Sequence, residues 1–146
     1  MRQTAFPWSS LENDSTEPHE LTAAIDAYFA SEHRDNPARG CPLTVLSTDV
    51  ARSGKRVRRA FAPPLRERID RLAAHLPPGQ QHDRRTVAAG AIATMVGSVI
   101  LARACADPDL SDSILRAGRL AVRSAVRSFE KSCASPCADA QEPPMS

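Results

Sequence analysis

Residues 86–102 form a run of 17 amino acids without a charge, and a run of that length needs an apolar environment. Seventeen residues are at the lower limit for a helix that crosses a bilayer. The run is rich in Ala and Gly, and it has no Trp or Tyr at its ends, where membrane spans usually carry them. We therefore predict a buried central helix over residues 84–106 of a soluble protein, and no membrane contact.

The composition fits such a protein, because 42% of the 146 residues are hydrophobic and 25% are charged. A chain of this length is large enough for one core. Aromatic residues make up only 4%, so that core has to be built mainly from Ala, Val, Leu and Ile. The net charge of +2 is too small by itself to indicate nucleic-acid binding, which requires basic residues gathered on one surface.

Four further helices are predicted from apolar residues that recur every three or four positions. The strongest stripe consists of Val57, Phe61, Leu65, Ile69, Leu72 and Leu76. It contains Pro63 and Pro64, so we predict a kink or a restart of the helix near Pro64, because proline removes a backbone hydrogen bond. The other helices are expected over 21–32, 42–52 and about 110–130, the last with Asp109 as its candidate N-cap.

These elements predict an all-α fold, a bundle of about five helices with short connections and no strand. Residues 1–18 are expected to form an irregular leader, because they contain two prolines and no sustained period. Residues 19–131 form the helical domain. Residues 132–146, with three prolines, are expected to be a disordered tail.

Small residues line one strip of the central helix, namely Ala89, Gly90, Ala93 and Gly97. Glycine inside a helix costs about 1 kcal/mol relative to alanine, so two of them indicate close approach by another backbone. That backbone belongs either to a second copy of the chain or to another helix of the same chain. The candidate dimer interface comprises these four residues with Ile114, Ala117 and Ala121 of the last helix.

Two runs carry a resemblance to a known family. The first is His33-Arg34-Asp35-Asn36-Pro37 followed by Gly40-Cys41-Pro42-Leu43, and the second is residues 102–115, ARACADPDLSDSIL. They resemble stretches of the form HRDxPxxGCPL and LARAxxDPxLSDxIL in TetR/AcrR-type transcriptional regulators. Their order and spacing are also similar, and the resemblance covers residues 21–129, in the C-terminal part of such regulators.

The resemblance implies a ligand-sensing and dimerisation domain. The last two long helices would pair with their copies in a homodimer, and the middle helices would surround a pocket for an unknown small-molecule effector. Effector binding would then weaken operator affinity. Family members contact DNA through a helix-turn-helix of about fifty residues ahead of this region, whereas only about twenty residues precede Leu21 here. DNA binding of that kind is therefore expected only through a segment that this chain lacks.

The candidate ligand-binding residues are Leu46, Phe61, Leu65, Ile69 and Met95, because small-molecule pockets are mostly apolar. The alternative is that these residues form an ordinary core. Cys41 precedes a predicted helix start, a position that lowers a thiol pKa, so it is a candidate reactive thiol. Its alternative role is that of a small buried apolar residue.

Other classes of function find little support in the sequence. It contains no G-x-S-x-G, no H-E-x-x-H and no phosphate-binding loop, so we expect neither an enzyme nor a cofactor. Cys133 and Cys137 have no ligand partners at zinc-site spacing, so no metal is expected. The lack of a secretory signal favours the cytoplasm. A rival to the sensing domain is a helical module that pairs with a full-length repressor without binding a ligand.

Overall fold

A computed structural model of the chain describes residues 18–77 and 81–134. These residues form six α-helices and one short 3-10 helix, Pro37–Arg39, and they contain no strand. The α-helices are α1 Pro18–Tyr28, α2 Ser31–Asp35, α3 Pro42–Arg52, α4 Lys55–Ala74, α5 Gln81–Ala104 and α6 Pro108–Ala134. The all-α bundle is thus confirmed. Residues 1–17, 78–80 and 135–146, which include most of the predicted leader and tail, lie outside the described residues.

Helix α5 is central to the bundle, as its uncharged sequence predicts. It contacts α6 most extensively and also contacts α4, α3 and α2. The largest completely buried side chains are Tyr28, Cys41, Leu72, Met95, Val99 and Val122. The core is therefore aliphatic for the most part, in agreement with the low aromatic content.

Helices α5 and α6 pack side by side in antiparallel directions after a short turn. The Ser111 hydroxyl near the start of α6 donates to the Ala102 carbonyl near the end of α5 at 2.8 Å. Gly118 lies opposite Ser98, and a Cβ at Gly118 would overlap Ser98 and Phe29. The glycine that permits close helix approach within the chain is therefore Gly118, which the sequence analysis did not single out.

Helix α6 begins two residues earlier than predicted. The Asp107 carboxylate accepts the backbone N–H groups of Asp109 and Leu110, at 3.0 and 3.1 Å. Asp107 is thus the N-cap, and the assignment of Asp109 to that role was wrong. Pro108 fits the first helical position because its missing N–H would have no partner there. At its other end α6 continues to Ala134, three residues into the predicted tail.

Helix α4 runs through Pro63 and Pro64 without interruption, so the predicted restart does not occur. The two prolines leave the carbonyls of Arg59 and Ala60 without their helical donors. All four of these residues are exposed, so water is available to those carbonyls. Proline is tolerated here because the affected side of the helix faces solvent.

The first predicted helix is divided in two. Helix α1 ends at Tyr28, and the short α2 follows with Ala30 in an extended conformation at its N-cap. Helix α2 ends at Asp35, and its C-cap Asn36 directly precedes Pro37, where a helical backbone is disfavoured as predicted. The break directs the following residues, 31–41, across one end of α5.

One helix of the described chain, Asp83–Ala104 within α5, is long and apolar enough to cross a membrane by length and composition. Only 33% of its most apolar window is buried inside the chain. Its contacts with four other helices are those of a central helix, yet much of its uncharged surface lacks cover from the same chain.

Candidate functional site

An apolar groove of about 450 Å³ lies between α3, α4 and α5. Its wall is formed by Leu43, Ser47, Phe61, Leu65, Ile69, Ala89, Ile92, Ala93, Val96 and Gly97. Ser47 supplies the hydroxyl in this wall, and the other side chains are aliphatic or aromatic. A groove of this size and character accommodates a small, mostly apolar molecule.

Three of the five candidate ligand residues line this groove: Phe61, Leu65 and Ile69 of α4. They are half-buried because the stripe at steps of four faces α5. Met95 is not in the groove wall, since it is 1% exposed and belongs to the core. Met95 follows Ala93 by two positions, which is about 200° around the helix, so it points away from the groove that Ala93 lines.

Leu46 is also not part of the groove wall. Leu43 and Ser47, four positions apart, face the groove from α3, whereas Leu46 is 47% exposed to solvent. Leu46 and Met95 therefore lie outside this groove, and its wall includes Leu43, Ile92 and Val96, which the sequence did not single out. An apolar helix stripe marks which side is covered, but it does not separate the residues of a core from those of a cavity wall.

The two glycines of the small-residue strip, Gly90 and Gly97, face open space instead of another helix of the chain. Gly90 and Ala93 are exposed, and Gly97 is half-buried. A Cβ added at Gly90 or Gly97 would meet nothing within 4 Å. Leu101, on the same side of α5, is 60% exposed. Close packing within one chain is therefore not the reason for these two glycines.

Helix α6 has a matching uncharged side. Ala117 and Ala121 are exposed, Ile114 is half-buried, and Leu110 is 53% exposed. The cations of α6 lie on a different side, as the spacing of Arg116, Arg119, Arg123, Arg127 and Lys131 predicts. The exposed uncharged strip of α6 is therefore bounded by its buried side and by its charged side.

These two strips form one continuous surface. On each helix the exposed uncharged strip lies roughly 100° from the side that contacts the other helix. Because α5 and α6 run antiparallel, the two offsets bring the strips to the same side of the pair. We call this surface the uncharged face. It comprises Gly90, Ala93, Gly97, Ile100 and Leu101 of α5 with Leu110, Ile114, Ala117 and Ala121 of α6.

Ala89 is the one candidate interface residue that lies away from this face. It is half-buried and belongs to the groove wall. Ala93 and Gly97 belong to both features, since they line the groove and stand at the border of the uncharged face. The groove and the face are thus two sides of the same helix.

A second feature is a polar network around Arg103 of α5. Its guanidinium donates to the His33 carbonyl at 2.7 Å, the Arg34 carbonyl at 2.9 Å and the Thr44 hydroxyl at 2.8 Å. Arg103 therefore ties α2 and the start of α3 to the central helix. Gly40 permits this arrangement, because a Cβ there would lie 2.8 Å from the Arg103 guanidinium.

His33 of α2 is buried within the same network. The backbone N–H of Cys41 donates to its Nε2 at 3.1 Å, so the ring proton lies on Nδ1, which donates to the Tyr28 carbonyl at 2.6 Å. Burial lowers the pKa of His33, and the positive charge of Arg103 lowers it further, against the opposing hydrogen bond to Tyr28. His33 is thus a neutral residue whose ring joins the end of α1 to the start of α3 by hydrogen bonds.

Cys41, the candidate reactive thiol, is 1% exposed and lies beside the Tyr28 phenol. Burial raises the pKa of Tyr28, and the neighbouring thiol raises it further. A reactive thiol needs contact with solvent and a positive environment. The structure instead gives Cys41 the position of a small buried residue, the alternative that the sequence left open.

The first sequence run is therefore an anchoring motif. Arg34 donates to the Ser111 hydroxyl at 3.1 Å and forms an ion pair with Asp112 at 2.6 Å, which ties α2 to the start of α6. His33, Gly40 and Arg103 were not among the predicted site residues. The clue to His33 and Gly40 was their position in this run, which joins α2 to α3. Buried polar residues and tightly packed glycines occur at junctions between helices.

Within the described part of the chain, no group of three or more His, Cys, Asp or Glu residues is arranged to hold a metal ion. Comparisons with protein-family models, with curated proteins and with solved structures found no match.

Proposed function

We propose that this chain is a regulatory module that forms a homodimer through the uncharged face and binds a small apolar molecule in the α3–α4–α5 groove. The observation that carries the proposal is the uncharged face itself. It includes Leu101 and Leu110, two large hydrophobic residues that are 60% and 53% exposed. A contiguous apolar surface of this kind marks an interaction site in a soluble protein.

A second copy of the chain is the partner that fits this face best. A two-fold dimer brings the same surface of both subunits together, so an uncharged surface meets another uncharged surface. The open space above Gly90 and Gly97 allows a partner helix to approach the backbone of α5 closely. Dimerisation would also cover the part of α5 that its own chain leaves exposed.

The groove supplies the sensing part of the proposal. Since Ala93 and Gly97 belong to the groove wall and border the uncharged face, a ligand that displaces α4 from α5 would also alter the dimer contact. Binding and association would then be coupled, and each would change the equilibrium of the other by the same factor. This arrangement matches the effector-sensing domain that the TetR-type resemblance implies.

The oligomeric state in solution tests the proposed homodimer. Light scattering should give twice the chain mass of 15.8 kDa for the natural sequence. Ala121→Glu should give the single-chain mass, because it buries a charge in the interface. Ala62→Glu, at an exposed position of α4 away from the face, should leave the dimer intact. A natural chain that stays monomeric at high concentration in detergent-free buffer would refute the dimer.

Ligand binding is tested separately by a thermal-shift screen of small apolar compounds. A compound that binds the folded state raises its melting temperature. Ile69→Trp should abolish that rise by filling the groove, whereas Val45→Trp, on the exposed side of α3, should preserve it. If the chain is dimeric and no compound raises the melting temperature, the rival module that pairs without a ligand gains support.

A further inference from the structure

The charge of this chain is distributed very unevenly. Residues 52–66 contain six cations, Arg52, Lys55, Arg56, Arg58, Arg59 and Arg66, and no Asp or Glu. Since the whole chain has a net charge of +2, the remaining residues together carry four more negative than positive charges. The end of α3 and the first half of α4 therefore form a concentrated positive region on a chain that is otherwise acidic.

The carboxylates nearest to this region in the sequence are already paired. Asp49 pairs with Arg52 at 3.1 Å, Glu67 with Arg71 at 2.6 Å and Asp70 with Arg85 at 2.7 Å. Among the described residues, no carboxylate pairs with any of the five cations from Lys55 to Arg66. Their charge is thus left uncompensated within this part of the chain.

Four of these cations project from one side of α4. Lys55, Arg59 and Arg66 fall within about 40° of each other around the helix, with Arg56 beside them. This side lies roughly 100° around the helix from the stripe that lines the groove, and all four residues are exposed. From Lys55 to Arg66 the row extends about 16 Å along the helix, at roughly 1.5 Å per residue. We call these four residues the cationic row.

The residues beside the cationic row favour a phosphate backbone over a lipid surface. Ala62 and Pro63 stand between Arg59 and Arg66, and neither is a large apolar side chain able to enter a bilayer. The row has no aromatic residue for stacking on bases. Three of its four members are arginines, whose planar guanidinium pairs with phosphate oxygens.

We propose that the cationic row binds the phosphate backbone of double-stranded nucleic acid without sequence preference. This contact is separate from the apolar groove and from the uncharged face, and it does not depend on the homodimer. The row recognises charge alone, so the affinity is in the range of non-specific complexes and falls steeply as salt displaces the cations from the phosphates.

Fluorescence anisotropy with a labelled duplex tests the proposal. The natural chain should bind the duplex at about 50 mM salt and lose most of its affinity by about 200 mM, with a slope of log K against log salt near −3.6 for four contacts. The triple variant Arg56→Gln/Arg59→Gln/Arg66→Gln should reduce that slope by about 3 and weaken binding at least tenfold. A circular-dichroism melt should show that its fold is retained, since the three side chains are exposed.

The matched control removes three cations from α6 instead, as Arg119→Gln/Arg127→Gln/Lys131→Gln. It changes the net charge equally and should keep duplex binding within about twofold. Three results would overturn the proposal: equal losses in both variants, no binding of the duplex at about 50 mM salt, or binding to phosphatidylserine vesicles without binding to the duplex.

Discussion

Arg103 and His33 connect α2, α3 and α5 through a small set of hydrogen bonds. Arg103 has an aliphatic stem in a mostly apolar helix, and its planar head reaches the backbone carbonyls of His33 and Arg34. These carbonyls lie at the end of a short helix and have no helical donors. A single charged residue in α5 therefore satisfies backbone groups that would otherwise be left unpaired at the junction between α2 and α3.

The burial of neutral His33 predicts a decrease in stability at acidic pH. Its pKa is lower in the folded chain than the ordinary value of 6.5, so the unfolded chain takes up a proton more readily. The free energy of unfolding should accordingly be highest above the unfolded pKa and should decline as the pH falls through about 6.5. Urea unfolding at a series of pH values measures this slope.

His33→Gln is the variant that tests this assignment, because glutamine retains a donor and an acceptor but does not titrate. It should lower the stability at neutral pH and flatten the slope between about pH 7.5 and 5.5. His75→Gln, in the residues that follow α4, serves as the control, because His75 bonds the Arg71 carbonyl and lies outside the network around Arg103. A variant at His33 with an unchanged slope would contradict the assignment.

At the scale of elements, the pair α5–α6 is held at close distance by Gly118. Gly118→Ala should lower the free energy of unfolding by about 1 to 3 kcal/mol, because the new methyl group overlaps Ser98 and Phe29. Helix propensity alone predicts the opposite sign, a gain of about 1 kcal/mol. Urea or thermal unfolding of the purified variant decides between the two.

Gly90→Ala provides the control, since a Cβ at Gly90 meets nothing in its own chain. Measured in the Ala121→Glu background, where the dimer is disrupted, it should raise stability by up to about 1 kcal/mol. Equal effects of the two alanines would mean that the helix spacing is not set at Gly118.

The whole molecule has a buried core and a second apolar surface that remains exposed in the single chain. If the homodimer covers that surface, folding and association are linked, and the melting temperature depends on concentration. A tenfold increase in chain concentration should raise the melting temperature by about 2 to 4 °C. Ala121→Glu should melt at a temperature that does not change with concentration.

Differential scanning calorimetry over a hundredfold range of concentration measures this dependence. Ala62→Glu should follow the natural chain, as it does in the light-scattering experiment. A melting temperature of the natural chain that is independent of concentration would show that the uncharged face remains uncovered in solution.

The long helices follow from local patterns in the amino-acid sequence. The stripe at steps of four in α4 and the uncharged run in α5 are local patterns, and each predicts a helix and the side that is covered. Proline and glycine positions marked the start and the end of α3. An exception arose at the start of α6, where the Asp107 carboxylate accepts the N–H groups of Asp109 and Leu110, so the helix begins before the expected N-cap Asp109.

The division of covered residues between a core and a cavity wall depends on how the helices pack against one another. Met95 and Ile69 have similar patterns in the sequence, yet Met95 lies in the core and Ile69 lines the groove. Likewise Gly90 and Gly118 are both helical glycines, and only Gly118 has a close neighbour in the chain. The physical reason is that burial depends on contacts between distant segments, while a helix depends on hydrogen bonds between near neighbours.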